Sequence, residues 1–464
     1  MEKAGYSYYQ YKLIIMCNFL LFADGIHMNI TNNLYIPIKN YYSLNDTTFS
    51  LISSVLFVGV GLGSLISGFV SNNTGRKTAL IFANVFMFIF SLIMAYSNNY
   101  ILFTVCRFFI GTLLGIVIPM LFGILTEYLP VKYRAFVLVC VWTGFSLGEI
   151  YTLFMMLIFT PNYELSGVPS VLVSCSIPFA LIALCLFFWL DESPRMLILE
   201  KRETEGLKLL ELMTNKELTN DEKDRIVGEI KGGINKELQV SLKYLFHHDF
   251  LKISVILIFI WAFNSYILYG GKFTLQQTLT RISSTKSINN KPKDVIIEQI
   301  IIQFITLPGN FISPIFSEIK CFGRIYSTAL FYLLASIFQL LGCIFRNHFS
   351  ILYGFSNLCS GSAFNISSAY TSEVYPTLIR DMALGFFYFC TRVAGFSSQF
   401  ISVSLENVMF LLQYYTIIMV CLLGAIIVSL LPVETFGSPI DMPIMNDRII
   451  LEKPALEITK KGSI

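Results

Sequence analysis

Twelve stretches of nearly continuous apolar residues run along the chain, at 13–36, 50–71, 78–96, 100–124, 135–158, 170–190, 251–271, 297–317, 325–345, 349–371, 382–404 and 409–431. Each is close to the ~20 residues an α-helix needs to cross a bilayer. The apolar residues come in runs and do not alternate with polar ones, which predicts spanning helices and excludes a membrane β-barrel. The runs fall as six, then a polar segment, then six. The expected fold is an all-α polytopic membrane protein with twelve transmembrane helices in two six-helix bundles. Residues 1–190 form the first bundle and 251–431 the second. Between them, 191–250 reads as a cytoplasmic linker with short amphipathic helices at 200–213 and 221–234, and 432–464 as a cytoplasmic tail. The polar segment from Met1 to Lys12 leads into an apolar run too long for a signal-peptide core, so that run reads as a retained span.

Composition turns this pattern into a physical requirement. Of 464 residues, 55% are apolar and 14% charged, against about 25% charged in soluble domains. A surface of ordinary polarity cannot be assembled from such a chain, and lipid must clothe it. Disorder, collagen-like repeats and a secreted disulfide scaffold are excluded. A net charge of +3 implies no nucleic-acid partner. The ten cysteines form no CxxC pair, have no histidine at ligand spacing and read as small packing residues. No metal or other cofactor is expected. The linker holds no nucleophile–base pair or phosphate-cradling loop, so no enzyme activity is expected either.

The placement of charge sets an expected orientation. With both termini cytoplasmic, inside segments hold 24 of the 33 lysines and arginines, counting Lys252 at the inner edge of the seventh run, and the outer loops hold seven, which follows the positive-inside rule. Five of those seven, Lys272, Arg281, Lys286, Lys291 and Lys293, crowd into one outer loop. Arg107 and Arg392 remain as intramembrane charges.

The two bundles share an internal repeat. Glu127-Tyr-Leu-Pro130-Val-Lys-Tyr-Arg134 recurs as Glu373-Val-Tyr-Pro376-Thr-Leu-Ile-Arg380, and Gly75-Arg76 recurs as Gly323-Arg324, at offsets of 246 and 248 residues. Both ExxPxxxR segments follow the fourth helix of their half, and both GR pairs lie between the second and third. The halves therefore read as parallel repeats with any substrate site between them near the midplane. Proline ends each fourth helix at the membrane face. The flanking Glu and Arg can pair with each other or with the GR loop, latching helix ends in one conformation.

These residues resemble the major facilitator superfamily across nearly the whole chain. Gly68-Phe-Val-Ser-Asn72-Asn-Thr-Gly75-Arg76-Lys77 is similar to its GxxxDxxGRR loop, and Arg107-Phe-Phe-Ile-Gly111 to its RxxxG. Asp191-Glu192-Ser193-Pro194-Arg195 resembles the PESPR of sugar porters and organic-ion transporters, and Leu431-Pro432-Val433-Glu434-Thr435 resembles their PET ending. Residues 5–11, Ala23-Asp24-Gly25-Ile26 and Leu44 are similar to the synaptic-vesicle-protein-related branch. The resemblance implies alternating-access transport of a small organic ion or metabolite, with Glu192, Arg195 and Glu434 among the gate residues. Asn72 stands where the family loop has Asp, and Lys320 occupies the matching place in the second half. Both weaken the expected latch. They motivate a second reading, a transport-inactive protein of this fold serving as a receptor or as a subunit of a larger membrane complex.

An ionisable group inside a bilayer costs several kcal/mol unless paired or hydrated, which makes each one a candidate for function. Asp24 and His27 share a face of helix 1 with Thr31, Arg107 lies in helix 4, Glu149 in helix 5 and Arg392 in helix 11 beside Tyr388 and Gln399. In one reading Arg392 meets an anionic substrate while Asp24 or Glu149 carries a coupled proton, tuned by His27. In the other, Arg107 pairs with Asp24 or Glu149 and holds the first bundle together, with Gly111 and Gly115 marking a tight helix face. In helix 7, Trp261, Asn264, Tyr266 and Tyr269 precede Gly270-Gly271, as an outer gate would require. Tyr269 also suits an interfacial aromatic belt. Gln303, Asn310, Asn357 and Asn365 are further cavity candidates. Of the glycosylation sequons, only Asn45 lies in an expected outer loop.

Overall fold

The computed structural model describes residues 8–128, 131–192, 194–199, 202–214, 219–220, 222–228, 245–285, 291–319, 322–375 and 377–435. Twelve long helical segments lie among the described residues. In the first half these are α1 (Tyr8–Asn33), α2 (Asp46–Thr74), α3 (Arg76–Ala95), α4 (Tyr100–Tyr128), α5 (Val131–Cys140 and Trp142–Phe159) and α6 (Val168–Trp189). The second half holds α7 (His248–Ser265, continued to Phe273), α8 (Pro292–Thr306 and Gly309–Ser317), α9 (Gly323–Ile344), α10 (Phe349–Val374), α11 (Thr377–Val408) and α12 (Leu412–Ser429). Ten have the length and apolar composition to cross a membrane. The other two, α10 and α11, are long enough but carry more polar residues, and both contribute such residues to the central cavity.

Buried apolar side chains form two clusters. One is built from α1–α6, with Phe273, Ile296, Ile300 and Val403 of the second half packed onto it; the other is built from α7–α12. In lipid there is no hydrophobic drive between helices, so close backbone approach must supply the contact. Glycines make it possible in the first half. A Cβ placed on Gly63 of α2 would lie 2.0 Å from the Thr112 carbonyl oxygen of α4, and one on Gly148 of α5 would lie 2.1 Å from the Phe22 carbonyl oxygen of α1.

The seventh helix is not regular. Its Tyr266–Gly270 turn is a π-helix, a form associated with functional positions, and the chain turns after Phe273 into an amphipathic helix, Leu275–Thr285. Main-chain carbonyls at this bend need partners. Ser402 Oγ and the Gln413 amide donate to the Gly270 carbonyl, at 3.2 Å in the first case, and Tyr414 donates to the Gly271 carbonyl at 3.5 Å. This bend changes the map of charge. Lys272, expected in an outer loop, is the penultimate residue of the spanning segment. Between α1 and α2 a short helix, Tyr35–Tyr41, replaces the expected continuation of helix 1 to residue 36.

A central cavity between the two halves

The halves enclose a cavity with about 760 Å³ of empty space, part of it continuous with solvent, lined by α5, α7, α8, α10 and α11. Trp142, Phe145 and Glu149 of α5 follow one another at helical spacings of three and four, so a single face presents two rings and a carboxylate. Opposite them, Tyr269 and Lys272 of α7 are three residues apart and share a face. Glu149 is 3% exposed and binds Lys272 through both oxygens, at 2.7 and 2.9 Å from Nζ, while the Asn29 side-chain amide donates to it at 2.5 Å. This ion pair joins the first half to the second. Arg392 of α11 also faces the cavity, and Tyr269 shares a hydrogen bond with its guanidinium at 3.2 Å. The Asn310 amide donates to Ser146 across the halves at 3.1 Å, and the Asn365 amide donates to Asn310. Phe364 and Tyr388 close the wall, with the Trp142 and Phe364 rings 5.6 Å apart.

Of the candidate residues, Glu149, Gln303, Tyr388 and Arg392 line this cavity, together with Asn310, Asn357 and Asn365. Others lie elsewhere. His27 is turned into the first bundle, 2.9 Å from Ser91 Oγ and packed on the ring of Phe179. Arg107 is fully buried and pairs with neither Asp24 nor Glu149; it donates to the His27 main-chain carbonyl at 2.8 Å. One main-chain carbonyl thus stands where an ion-pair partner was expected, and the buried Nε of Arg107 has no hydrogen-bond partner. Asp24 is 2% exposed and neither of its oxygens has a hydrogen-bond partner. It sits behind the wall, not on it. Asn264 accepts from the Tyr332 hydroxyl at 2.7 Å and Tyr266 meets Thr416 at 2.7 Å, so both are packed within the second half and not on an outer gate. The π turn rotates Tyr269 and Lys272 into the cavity instead. Trp261 is buried, donates to Thr371 and packs against Tyr388.

Sequence reasoning missed Lys272, Trp142, Phe145 and Phe364. The signal for Lys272 was its spacing of three from Tyr269; the Gly270-Gly271 pair disguised it by reading as the start of a loop.

The two GR pairs and the second-half Glu373 lie at the end of the molecule that carries the N-terminal segment. In the second half Arg324 forms a bidentate pair with Glu373, at 2.8 and 3.2 Å, and Thr435 donates to the same carboxylate at 2.6 Å. Glu434 accepts from the main-chain N–H groups of Arg324 and Ile325, at 2.7 and 3.0 Å. Glu192 does the same for Arg76 and Lys77, at 2.8 and 3.2 Å. In each half a carboxylate from the chain beyond the sixth helix thus caps the N-terminus of the third, where unpaired N–H groups and the helix dipole favour negative charge. Gly75 and Gly323 adopt φ of 77° and 59°, and a Cβ on either would strike the capping carboxylate at 2.6 Å. Only glycine fits there. Lys320 and the side chains of Asn72, Glu127, Arg134, Arg195 and Arg380 lie outside the described residues.

At the opposite end, the Tyr35 and Phe273 rings meet at 5.8 Å and the Ile36 N–H donates to the Gln276 side chain at 3.1 Å. Lys39 pairs with Asp46, and Arg281 with the buried Glu406 at 3.3 Å.

Comparison with known proteins places this geometry. The chain is similar to the synaptic vesicle 2-related protein of Xenopus laevis, with 26% identity over 94% of this chain and 80% of that one. It is 25% identical to the organic cation/carnitine transporter 7 of Arabidopsis thaliana, over 93% of each. Its fold matches that of the xylose transporter XylE from E. coli in an inward-open conformation, with a TM-score of 0.72 at 18% identity, covering 93% of this chain and 97% of that one. The family profile of the Major Facilitator Superfamily matches residues 17–398. With twelve long helical segments among its described residues, a repeated capping device and a cavity between its two halves, this multi-pass membrane protein belongs to the Major Facilitator Superfamily of transporters.

Proposed function

We propose that the chain is a secondary transporter of a small organic ion, working by alternating access around the central cavity with both termini cytoplasmic. The observation that carries this reading is Arg392. It is buried, forms no direct ion pair among the described residues, with the Asp24 carboxylate acting on it only through charge at longer range, and turns its guanidinium toward the cavity beside Tyr269, Tyr388 and three asparagines. A buried guanidinium with spare donors is a site for a carboxylate-bearing substrate, which it can hold through two parallel hydrogen bonds. The aromatic walls suit the apolar body of such a molecule. Asp24, buried with both oxygens unpartnered, is the carboxylate suited to carry a coupled proton. The membrane is that of a vesicle, as the names of the synaptic-vesicle relatives indicate, or the cell surface.

Reconstitution into liposomes tests the proposal. Labelled organic anions and cations are offered with and without a pH gradient, and uptake of at least one, accelerated by the gradient, is expected. The rival reading, a receptor or complex subunit without transport, draws on Asn72 and Lys320 in the latch loops. Absence of uptake across the panel, together with stable co-purification in a membrane assembly, would establish it.

A further inference from the structure

The cavity charges are divided by half. The carboxylates belong to the first half, Glu149 on the wall and Asp24 behind it; the cations that reach the cavity, Lys272 and Arg392, belong to the second. Arg107, the deeply buried cation of the first bundle, is turned to a main-chain carbonyl and takes no part. In the structure Glu149 and Lys272 satisfy each other across the divide, with Asn29 as the other partner of the carboxylate.

We propose, on the reading that this cavity is the transport site, that its substrate is a zwitterion and that the Glu149–Lys272 pair opens to admit it. The substrate carboxylate lies between Lys272 and Arg392. Its ammonium group lies on Glu149, against the rings of Trp142, Phe145 and Phe364, whose faces attract a cation. The argument is one of charge balance in a site of low dielectric. A simple anion that draws Lys272 away leaves Glu149 buried with only an amide partner, and a simple cation that draws Glu149 away strands Lys272. Both outcomes leave an uncompensated buried charge, the costly way to break such a pair. A neutral molecule has no means of opening it. A molecule bearing both charges replaces one ion pair by two and adds no net charge, while bridging the halves that must move together around it.

The test uses the purified full chain in liposomes and three matched probe types: trimethylammonio carboxylates with one to three methylenes between the charged groups, the carboxylates alone, and the trimethylalkylammonium ions alone. Wild-type protein should take up a zwitterion at least tenfold faster than either singly charged counterpart. Glu149→Gln should raise the zwitterion KM at least tenfold and gain uptake of the plain carboxylate, because Lys272 is released. Lys272→Gln should instead gain uptake of the cation. Melting in detergent reports folding. Should a variant fail to fold, thermal protection of the wild type decides, with only the zwitterion expected to raise its midpoint. Equal uptake of a singly charged probe by the wild type, or an unchanged zwitterion KM in Glu149→Gln, overturns the proposal and leaves the transport reading standing. Absence of uptake of any organic ion overturns the transport reading itself.

Discussion

Arg392 and Arg107 show how much a residue's meaning depends on what it faces. Both are arginines buried in membrane helices; the sequence separates them only by their neighbours, Gly111 and Gly115 beside Arg107 and no acidic residue at helical spacing from Arg392. Arg107 is turned into its own bundle, where it donates to the His27 carbonyl, whereas Arg392 faces the cavity with donors available to a ligand. Replacing Arg392 by Ala should cost the substrate one charge-assisted hydrogen-bonded contact, about 1.5–3 kcal/mol, or roughly a 10- to 150-fold loss in uptake efficiency at tenfold per ~1.4 kcal/mol. Arg392→Lys should recover only part of it, because the ammonium keeps the charge but lacks the planar fork. Equal uptake by all three proteins would remove Arg392 from the site. The pair of Arg324 with Glu373 makes a separate prediction about stability. Arg324→Ala leaves the partly buried Glu373 carboxylate with the Thr435 hydroxyl and no cation among the described residues. A loss of about 1–3 kcal/mol should appear as a lower melting midpoint in detergent.

Among the helices, the first-half pairs depend on the absence of side chains. Gly63→Ala would force a methyl group into the Thr112 carbonyl, and separating α2 from α4 should cost about 1–3 kcal/mol. Gly68→Ala on the same helix is the control. No atom lies within 4 Å of its Cβ, and the alanine should be neutral or stabilising by up to ~1 kcal/mol. Equal melting of the two variants would refute the close-packing account. Gly111 and Gly115 were legible as a tight face because small residues four apart are a packing signature. The bend of α7 was not legible. Nothing local distinguishes a Gly-Gly pair that ends a helix from one that lets it widen by a turn; the choice rests on Ser402, Gln413 and Tyr414 from α11 and α12 receiving the carbonyls. That bend brings Lys272 into the cavity and leaves Asn264 and Tyr266 facing their own bundle.

For the molecule as a whole, alternating access requires the halves to part at the end sealed by Tyr35, Ile36, Phe273 and Gln276. Cysteines at Ile36 and Gln276, bridged by a short bifunctional thiol reagent in a cysteine-depleted background, should block uptake, and reduction of a cleavable bridge should restore it. Full transport by the bridged protein would rule out separation there. Orientation has its own test. Asn45 is exposed immediately before α2, so expression in a glycosylating host should add a glycan that Asn45→Gln removes. A glycan remaining on that variant, or none on the wild type, would count against cytoplasmic termini.

The sequence by itself determined the number of long helices, the six-plus-six division, the internal repeat and the family. Each follows from local rules: a helix must be apolar enough for lipid, a cap must be a carboxylate near exposed N–H groups, and Gly75 and Gly323 must be glycine where φ is positive. Only the tertiary structure decided which polar groups meet. Glu149 and Lys272 are 123 positions apart, and no periodicity on either helix specifies which way its face turns toward the other half. That rotation is set by the packing of whole helices, by glycine contacts in the first half and by a π turn in the second. The helices could be counted from the chain; the chemistry of the cavity depends on how they are turned.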